Sequence, residues 1–110
     1  MAITTAMCNS FKTELLGGVH DLDTHTIKIA LIKASPSGTY NAATTNYSNV
    51  TDNSDEASGT NYSAGGQNLD SASISLSGTT AIVDFADEVF STVTVSTDGC
   101  IIYNSSASNK

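Results

Sequence analysis

The stretch Ser71–Ser106, SASISLSGTTAIVDFADEVFSTVTVSTDGCIIYNSS, decides the fold class of this chain. Apolar and polar residues alternate in it, at Ile74 and Leu76 and again at Val93 and Val95, which is the pattern of half-buried strands. Turn-forming pairs interrupt the runs at Ser77-Gly78, Asp87-Glu88 and Asp98-Gly99. Because these turns follow one another at intervals of roughly 8–12 residues with no helix between them, the pattern favours an antiparallel sandwich or barrel over a parallel sheet.

The predicted strands of this region are Ile74–Leu76, Ala81–Phe85, Val89–Val95 and Cys100–Tyr103. Asp98-Gly99 is a strong hairpin signal leading into the last of them. Upstream, Thr26–Ile32 is also predicted to be a strand, with Ile27, Ile29 and Leu31 on one face and Lys28 and Ala30 on the other,. The sequence therefore predicts a mainly β fold, an antiparallel sandwich or jelly-roll-like domain.

One helix is predicted near the N-terminus, from Thr4 to Leu16. Met7, Phe11 and Leu15 recur at i, i+4 and i+8 and form an apolar stripe,. Thr4 or Thr5 can cap its start, and Gly17-Gly18 can end it. A helix of this length is marginal in water, so its stripe must dock on the domain's own sheet or on a neighbouring subunit. The three stripe residues are therefore candidates for a protein contact.

Between Tyr40 and Gly66 the apolar pattern disappears. This segment is either a long surface loop or a pair of weak edge strands around Tyr47 and Tyr62. Long segments of this kind in a compact domain are usually functional or disordered. We therefore expect that a contact surface lies here or in the N-terminal helix.

Composition limits the possible function. The 110 residues form one predicted domain, 1–110, and Ser, Thr and Asn supply 40 of them, as 16, 15 and 9. Eleven acidic residues against four lysines and arginines give a net charge of −7, which disfavours binding to nucleic acid or to anionic membranes,. There is no stretch of ~18 apolar residues to span a membrane, and no basic region followed by an apolar run marks a secretory signal. Synthesis as a soluble cytoplasmic chain is expected.

Candidate metal sites are weak. His20, Asp21, Asp23 and His25 are the densest set of possible zinc ligands, but they lie in one short connection, which favours an ordinary Asp-rich turn,. The segment from Asp52 to Glu56 resembles the start of a calcium loop without its central Gly and distal Glu,. We expect neither a metal nor another cofactor, although loosely bound calcium is left open.

Candidate catalytic groups are weak too. No serine lies in a G-x-S-x-G motif,. Asp84, Asp87 and Glu88 resemble a glycosidase carboxylate pair only in number, because alternation directs Asp84 outward and places the other two in a turn. Cys8 and Cys100 are too few for a disulfide framework and are expected to be small buried hydrophobes. We expect no enzymatic activity.

Several segments resemble small virion structural proteins of tailed bacteriophages. They are ITTAMCNSFKTELLGGVHDL, TIKIALI, GTNYSAGG, LSGTTAIVDFADEVFSTVTV and GCIIYNSS, in the same order, and they cover most of the chain outside residues 36–56. The resemblance implies a β-rich, non-enzymatic component of the virion. The expected role is that of a capsid decoration or cement protein that binds the major capsid protein, or other virion proteins, in many copies.

Two alternatives stay open at this point. One is a component associated with the tail or a fibre. The other is a carbohydrate-binding β-domain with Tyr40, Tyr47, Tyr62 and Tyr103 as stacking platforms, although the chain has no Trp and only 6% aromatic residues.

Overall fold

Antiparallel sheets dominate the computed structural model, which describes residues 3–110. Met1 and Ala2, the first two residues of the predicted domain, lie outside the described residues. The elements in chain order are α1 (Asn9–Leu16), β1 (Ile27–Lys33), α2 (Ser48–Thr51), β2 (Gln67–Leu69), β3 (Ser73–Ser77), β4 (Thr80–Asp84) and β5 (Thr97–Asn104). The predicted mainly β class is confirmed. No helix among the described residues is long and apolar enough to cross a membrane.

Two separate sheets are formed. One has three strands in the order β2-β1-β5, and the other is the two-stranded hairpin β3-β4. In the first sheet, the strand predicted at Thr26–Ile32 is present as β1 and pairs with β5 in antiparallel register, with Ala30 opposite Ile101. Among the described residues, the last strand therefore pairs with the first, across a separation of about seventy residues.

The core is small and lies on one face of the three-stranded sheet. Ile32 packs there with Tyr40 and Val50, and Ile3 and Ile101 are partly buried against them. Ala30 and Ile32 lie on the same face because they alternate by two along β1. The opposite face carries Ile27, Ile29 and Leu31; Ile27 is buried, whereas Ile102, which pairs with Ile29, is 58% exposed. Both faces of β1 therefore bury apolar side chains, and the Ile32 cluster lies on the face of Lys28 and Ala30.

Helix α1 begins later than predicted. Residues before it run beside another segment instead, since Ile3 forms a bridge with Tyr40 and Thr4 N donates to Tyr40 O. Cys8, not Thr4 or Thr5, is the N-cap residue, and it has extended dihedral angles. The predicted end is correct, because the helix stops at Leu16 before Gly17 and Gly18, which has φ +74°.

One strand prediction and one turn prediction are wrong. Val89–Val95 forms no strand and contributes only an isolated bridge between Thr94 and Thr60. Asp98-Gly99 makes no hairpin turn, because both residues lie within β5. There Ile32 pairs with Gly99 and Lys33 with Thr97, which leaves Asp98 as the extra residue of a bulge,. Neither Asp98 nor Gly99 has a positive φ, so the bulge does not use the left-handed conformation that favours a turn at Asp-Gly,.

Candidate protein-contact surface

The β3-β4 hairpin is the most unusual surface of the molecule. Its register is regular from the Ser73–Asp84 pair to the Ser77–Thr80 pair. All ten strand residues are exposed, which includes Leu76 at 70% and Ile74 at 58%. A two-stranded hairpin is only marginally stable alone in water. An element of this kind gains stability when another chain covers it.

The turn of the hairpin explains how its sequence specifies it. Gly78 and Thr79 form a two-residue loop, and Gly78 has φ +61°. The φ of Thr79 is not positive, so the loop matches the type II′ geometry, which requires Gly at its first position,. The turn predicted at Ser77-Gly78 is thus present.

Hydrogen bonds join the two chain segments that lead into and out of the hairpin. Ala86 N donates to Asp70 O at 2.9 Å, just outside the two strands. The Gln67 side-chain amide, oriented to satisfy its neighbours, donates to the Glu88 carboxylate. The pairing of the two strands therefore continues a few residues beyond the hairpin at its base.

Apolar and polar residues segregate between the two faces of the hairpin. Cross-strand partners lie on the same face of a pair, so the pairs of Ile74 with Val83 and of Leu76 with Ala81 form one apolar face. The other face carries the three serines of β3, with Ile82 as its exception. Exposed contiguous apolar surface of this kind marks contact sites in soluble proteins.

Charge is distributed unevenly along this region. No Lys or Arg occurs between residues 34 and 109, and no charged residue of either sign occurs from Ser71 to Val83. The acids begin at the base of the hairpin, at Asp70 and Asp84. The apolar face is thus a neutral strip bordered by negative charge.

The predicted contact stripe is only partly available on the helix. Met7 precedes α1 and is 56% exposed, whereas Phe11 and Leu15 lie within it and are half-buried. The Phe11 ring packs against the His20 ring with centroids 4.6 Å apart. Leu16, outside the stripe, is the most exposed large apolar residue of the helix at 94%.

The segment predicted as a loop or weak edge strands is organised by a buried carboxylate. Asp55 is fully buried and accepts hydrogen bonds from Ser37 N and Gly38 N, both at 2.8 Å, and from the Tyr40 hydroxyl at 2.5 Å. Lys33 Nζ lies 3.1 Å away. Burial alone would raise the pKa of this carboxyl, but the hydrogen bonds and Lys33 outweigh it and hold the pKa well below its ordinary value,.

The neighbouring Glu56 binds the tyrosines of the same segment. Its carboxylate accepts from the Tyr47 and Tyr62 hydroxyls and from Gly65 N. Burial, and then the hydrogen bond to Glu56, raises the pKa of Tyr47. Asp55 and Glu56 therefore turn a polar segment into an ordered one that includes the short helix α2, with no strand around Tyr47 or Tyr62.

The tyrosine rings are engaged within the protein. Tyr40 and Tyr103 are each only 5% exposed. Tyr47 stacks on Tyr103 with ring centroids 4.4 Å apart, and Tyr62 packs against Phe90 at 5.8 Å. Ring faces that are stacked on one another offer little area to a sugar.

The His-Asp segment forms a turn with its own hydrogen bonds. Asp21 Oδ1 accepts from Asp23 N and Thr24 N, as in an Asx turn,. The Asn104 side-chain amide donates to Nδ1 of both His20 and His25, so His20 directs Nε2–H to Glu14 at 3.0 Å. Within residues 3–110, no group of three or more His, Cys, Asp or Glu side chains is arranged to hold a metal ion.

The remaining candidate residues are dispersed. Asp84 is exposed at the base of the hairpin, where its Cα pairs with that of Ser73. Both cysteines are free; Cys8 is half-buried, while Cys100 is exposed, contrary to the buried position expected for it. Burial of the thiol group nevertheless raises the pKa of Cys100.

The sequence predicted the strands of the hairpin as half-buried, and it placed the contact surface elsewhere, in the N-terminal helix or between Tyr40 and Gly66. The signal that could have indicated an exposed hairpin was the composition of β3, where Ser73, Ser75 and Ser77 leave only two apolar residues. The buried Asp55 was not predicted. The available signal was that the tyrosines of a segment with few apolar residues need hydrogen-bond acceptors when they are buried. No protein-family model, curated protein sequence or solved structure matches this chain.

Proposed function

We propose that this protein is a non-enzymatic structural protein of a tailed-phage virion, a capsid decoration or cement protein that stabilises the shell by binding neighbouring capsomers. The observation that supports it best is the β3-β4 hairpin, whose ten exposed residues present an apolar face. A small domain that leaves such a face uncovered is suited to assembly with other chains. The proposed partners are the major capsid protein and further copies of the chain.

The mechanism follows from the size of this surface. A single hairpin offers too little area for a tight complex, but many copies on one shell gain from simultaneous contacts. A strand edge can add to a partner sheet, with backbone hydrogen bonds supplying affinity and alternate side chains supplying specificity. We propose that the sandwich or jelly-roll-like arrangement is completed in this way, when a partner layer covers the apolar face.

Cryo-electron microscopy of virions of the phage that encodes this chain tests the proposal. We expect density for the chain in icosahedral copies on the shell, with the hairpin at a contact between subunits. Density on the tail or a fibre would favour the second virion role instead. Absence of the chain from purified virions would overturn the proposal.

A glycan array with the isolated protein separates the remaining alternative. We expect no specific binding, because the tyrosine rings stack on other rings or are buried. Specific binding to one glycan class would favour the carbohydrate-binding domain.

A further inference from the structure

We propose that β3 pairs with β3 of a second copy of this chain, in antiparallel orientation about a two-fold axis at Ser75. This rests on the proposed function only in treating the hairpin as a contact surface. It concerns the isolated protein, so it can fail while a virion role stands.

The free edge of β3 lacks the features that usually prevent such pairing. Natural edge strands are protected by charged side chains, by proline or by bulges. The segment Ser71–Val83 contains no charged residue and no proline, and the β3-β4 register has no bulge. Since the sheet has only two strands, one edge of β3 has no partner within the described chain. This edge is open to another strand.

The backbone groups at this edge can be assigned from the turn. In a two-residue hairpin the residues that flank the loop form a hydrogen-bonded pair, and such pairs then alternate along the ladder. Ser77, Ser75 and Ser73 therefore direct their N–H and C=O groups towards β4. The corresponding groups of Ile74 and Leu76 point to the free edge, which gives two donors and two acceptors for a partner strand.

The side chains of β3 match themselves in this arrangement. A two-fold axis at Ser75 places Ile74 opposite Leu76 of the second copy and Ser73 opposite Ser77. Apolar side chains meet apolar ones, and serines meet serines, so each face of the new sheet keeps its character. The result is a four-stranded sheet in which the apolar faces of both hairpins are continuous.

The absence of charge favours a second copy as the occupant, and the small area limits how tightly it binds. A charged partner would gain little along a strip without charge. A second copy presents a strip that is likewise neutral and apolar. Two five-residue strands, at ~3.4 Å per residue and ~4.8 Å apart, cover only about 160 Å² of face. Edge-to-edge pairing leaves this face uncovered and buries less than it, well below the ~800 Å² per partner of a stable interface. Pairing is therefore weak in dilute solution and increases where copies are concentrated.

Disulfide cross-linking tests the register. Ser75 faces Ser75 of the second copy in a non-hydrogen-bonded pair, with Cα atoms about 4.5 Å apart, which is within the range of a disulfide. In the full chain with Cys8→Ala and Cys100→Ser, we expect Ser75→Cys to form a covalent dimer under mild oxidation. Ser77→Cys is the matched control, because it faces Ser73 and not itself, and it should stay monomeric.

Analytical ultracentrifugation tests the surface. Over a roughly hundredfold range of concentration, we expect a reversible dimer for the wild type and a monomer for Ile74→Ser/Leu76→Ser. Ile102→Ser is the matched control, since Ile102 has the same 58% exposure as Ile74 but lies on the other sheet, and it should still dimerise. Circular dichroism of each variant establishes that it is folded.

Three outcomes would overturn the inference. They are a wild-type protein that stays monomeric at every concentration, a dimer that survives the double substitution or depends on Ile102, and a Ser77→Cys variant that cross-links as well as Ser75→Cys. The first would mean that the hairpin binds a different protein and not a second copy. The third would contradict the two-fold axis at Ser75.

Discussion

Single buried polar residues hold together the part of the chain with the fewest apolar side chains. Asp55 connects Tyr40, Lys33 and the backbone at Ser37 and Gly38, and it is completely buried. Asn104, 1% exposed, does the same for His20 and His25. Because an unpaired buried polar group is costly, such networks stabilise only when every member is satisfied.

We expect Asp55→Asn to lower the melting temperature by about 5–15 °C. The amide would keep one acceptor, but its NH₂ group would face backbone N–H donors and Lys33, so several hydrogen bonds would be lost at once. Thermal denaturation followed by circular dichroism at neutral pH measures the change. Asp52→Asn is the control. Because Asp52 is exposed, this substitution should change the melting temperature little.

The same pair of proteins should differ in acid. A carboxyl whose pKa is lower in the folded state stabilises the protein above its ordinary pKa of 3.8, and this contribution is lost as pH falls below that value,. Wild-type stability should therefore decrease more steeply than that of Asp55→Asn in this range. Parallel curves for the two proteins would contradict the role assigned to Asp55.

At the scale of elements, two glycines with positive φ show how the three-stranded sheet and the hairpin differ in packing. A Cβ at Gly66 would lie 1.8 Å from Ile29 O, where β2 joins β1. A Cβ at Gly78 would meet nothing within 4 Å. Gly66 is therefore required by packing and backbone conformation together, and Gly78 by backbone conformation alone.

We expect Gly66→Ala to lower the free energy of unfolding by about 3 kcal/mol or more, because backbone atoms must move apart. Gly78→Ala should cost about 1 kcal/mol within the hairpin, with little change in global stability because the hairpin residues are all exposed. Urea denaturation of both variants measures this difference. Equal losses would mean that the hairpin unfolds together with the core.

Elements with strong local signals could be predicted from the sequence. β1, β4 and the Gly78 turn depend on alternation and turn chemistry within a few residues, and they occur close to their predicted places. The start of α1 could not be predicted, because residues before Asn9 pair with a segment more than thirty positions away. The pairing of β5 with β1 and the bulge at Asp98 are likewise non-local.

The predicted contact surface shows the same division. Met7, Phe11 and Leu15 follow a valid helical spacing, but the helix starts after Met7, and His20 contacts the Phe11 ring. Exposure of the hairpin could not be read from its alternation, because a strand that faces a core and one that faces solvent can share that pattern.

The whole molecule combines a folded body with an element that contributes little to it. We expect amide hydrogen exchange of the isolated, dilute protein to be slowest in β1 and β5 and much faster in β3 and β4, which can open locally. At high concentration the Ile74 and Leu76 amides should slow selectively, because they point to the pairing edge. Uniform protection of both sheets in the dilute protein would contradict this division.

The strand order β2-β1-β5 also has a consequence for synthesis on the ribosome. β1 lies at the centre of its sheet but lacks one neighbour until Thr97–Asn104 has emerged, so the three-stranded sheet cannot close before β5 is made. The β3-β4 hairpin needs only a two-residue turn and can form earlier. Nascent chains on one messenger RNA would then display their hairpins side by side, which allows copies to meet while they are still being translated.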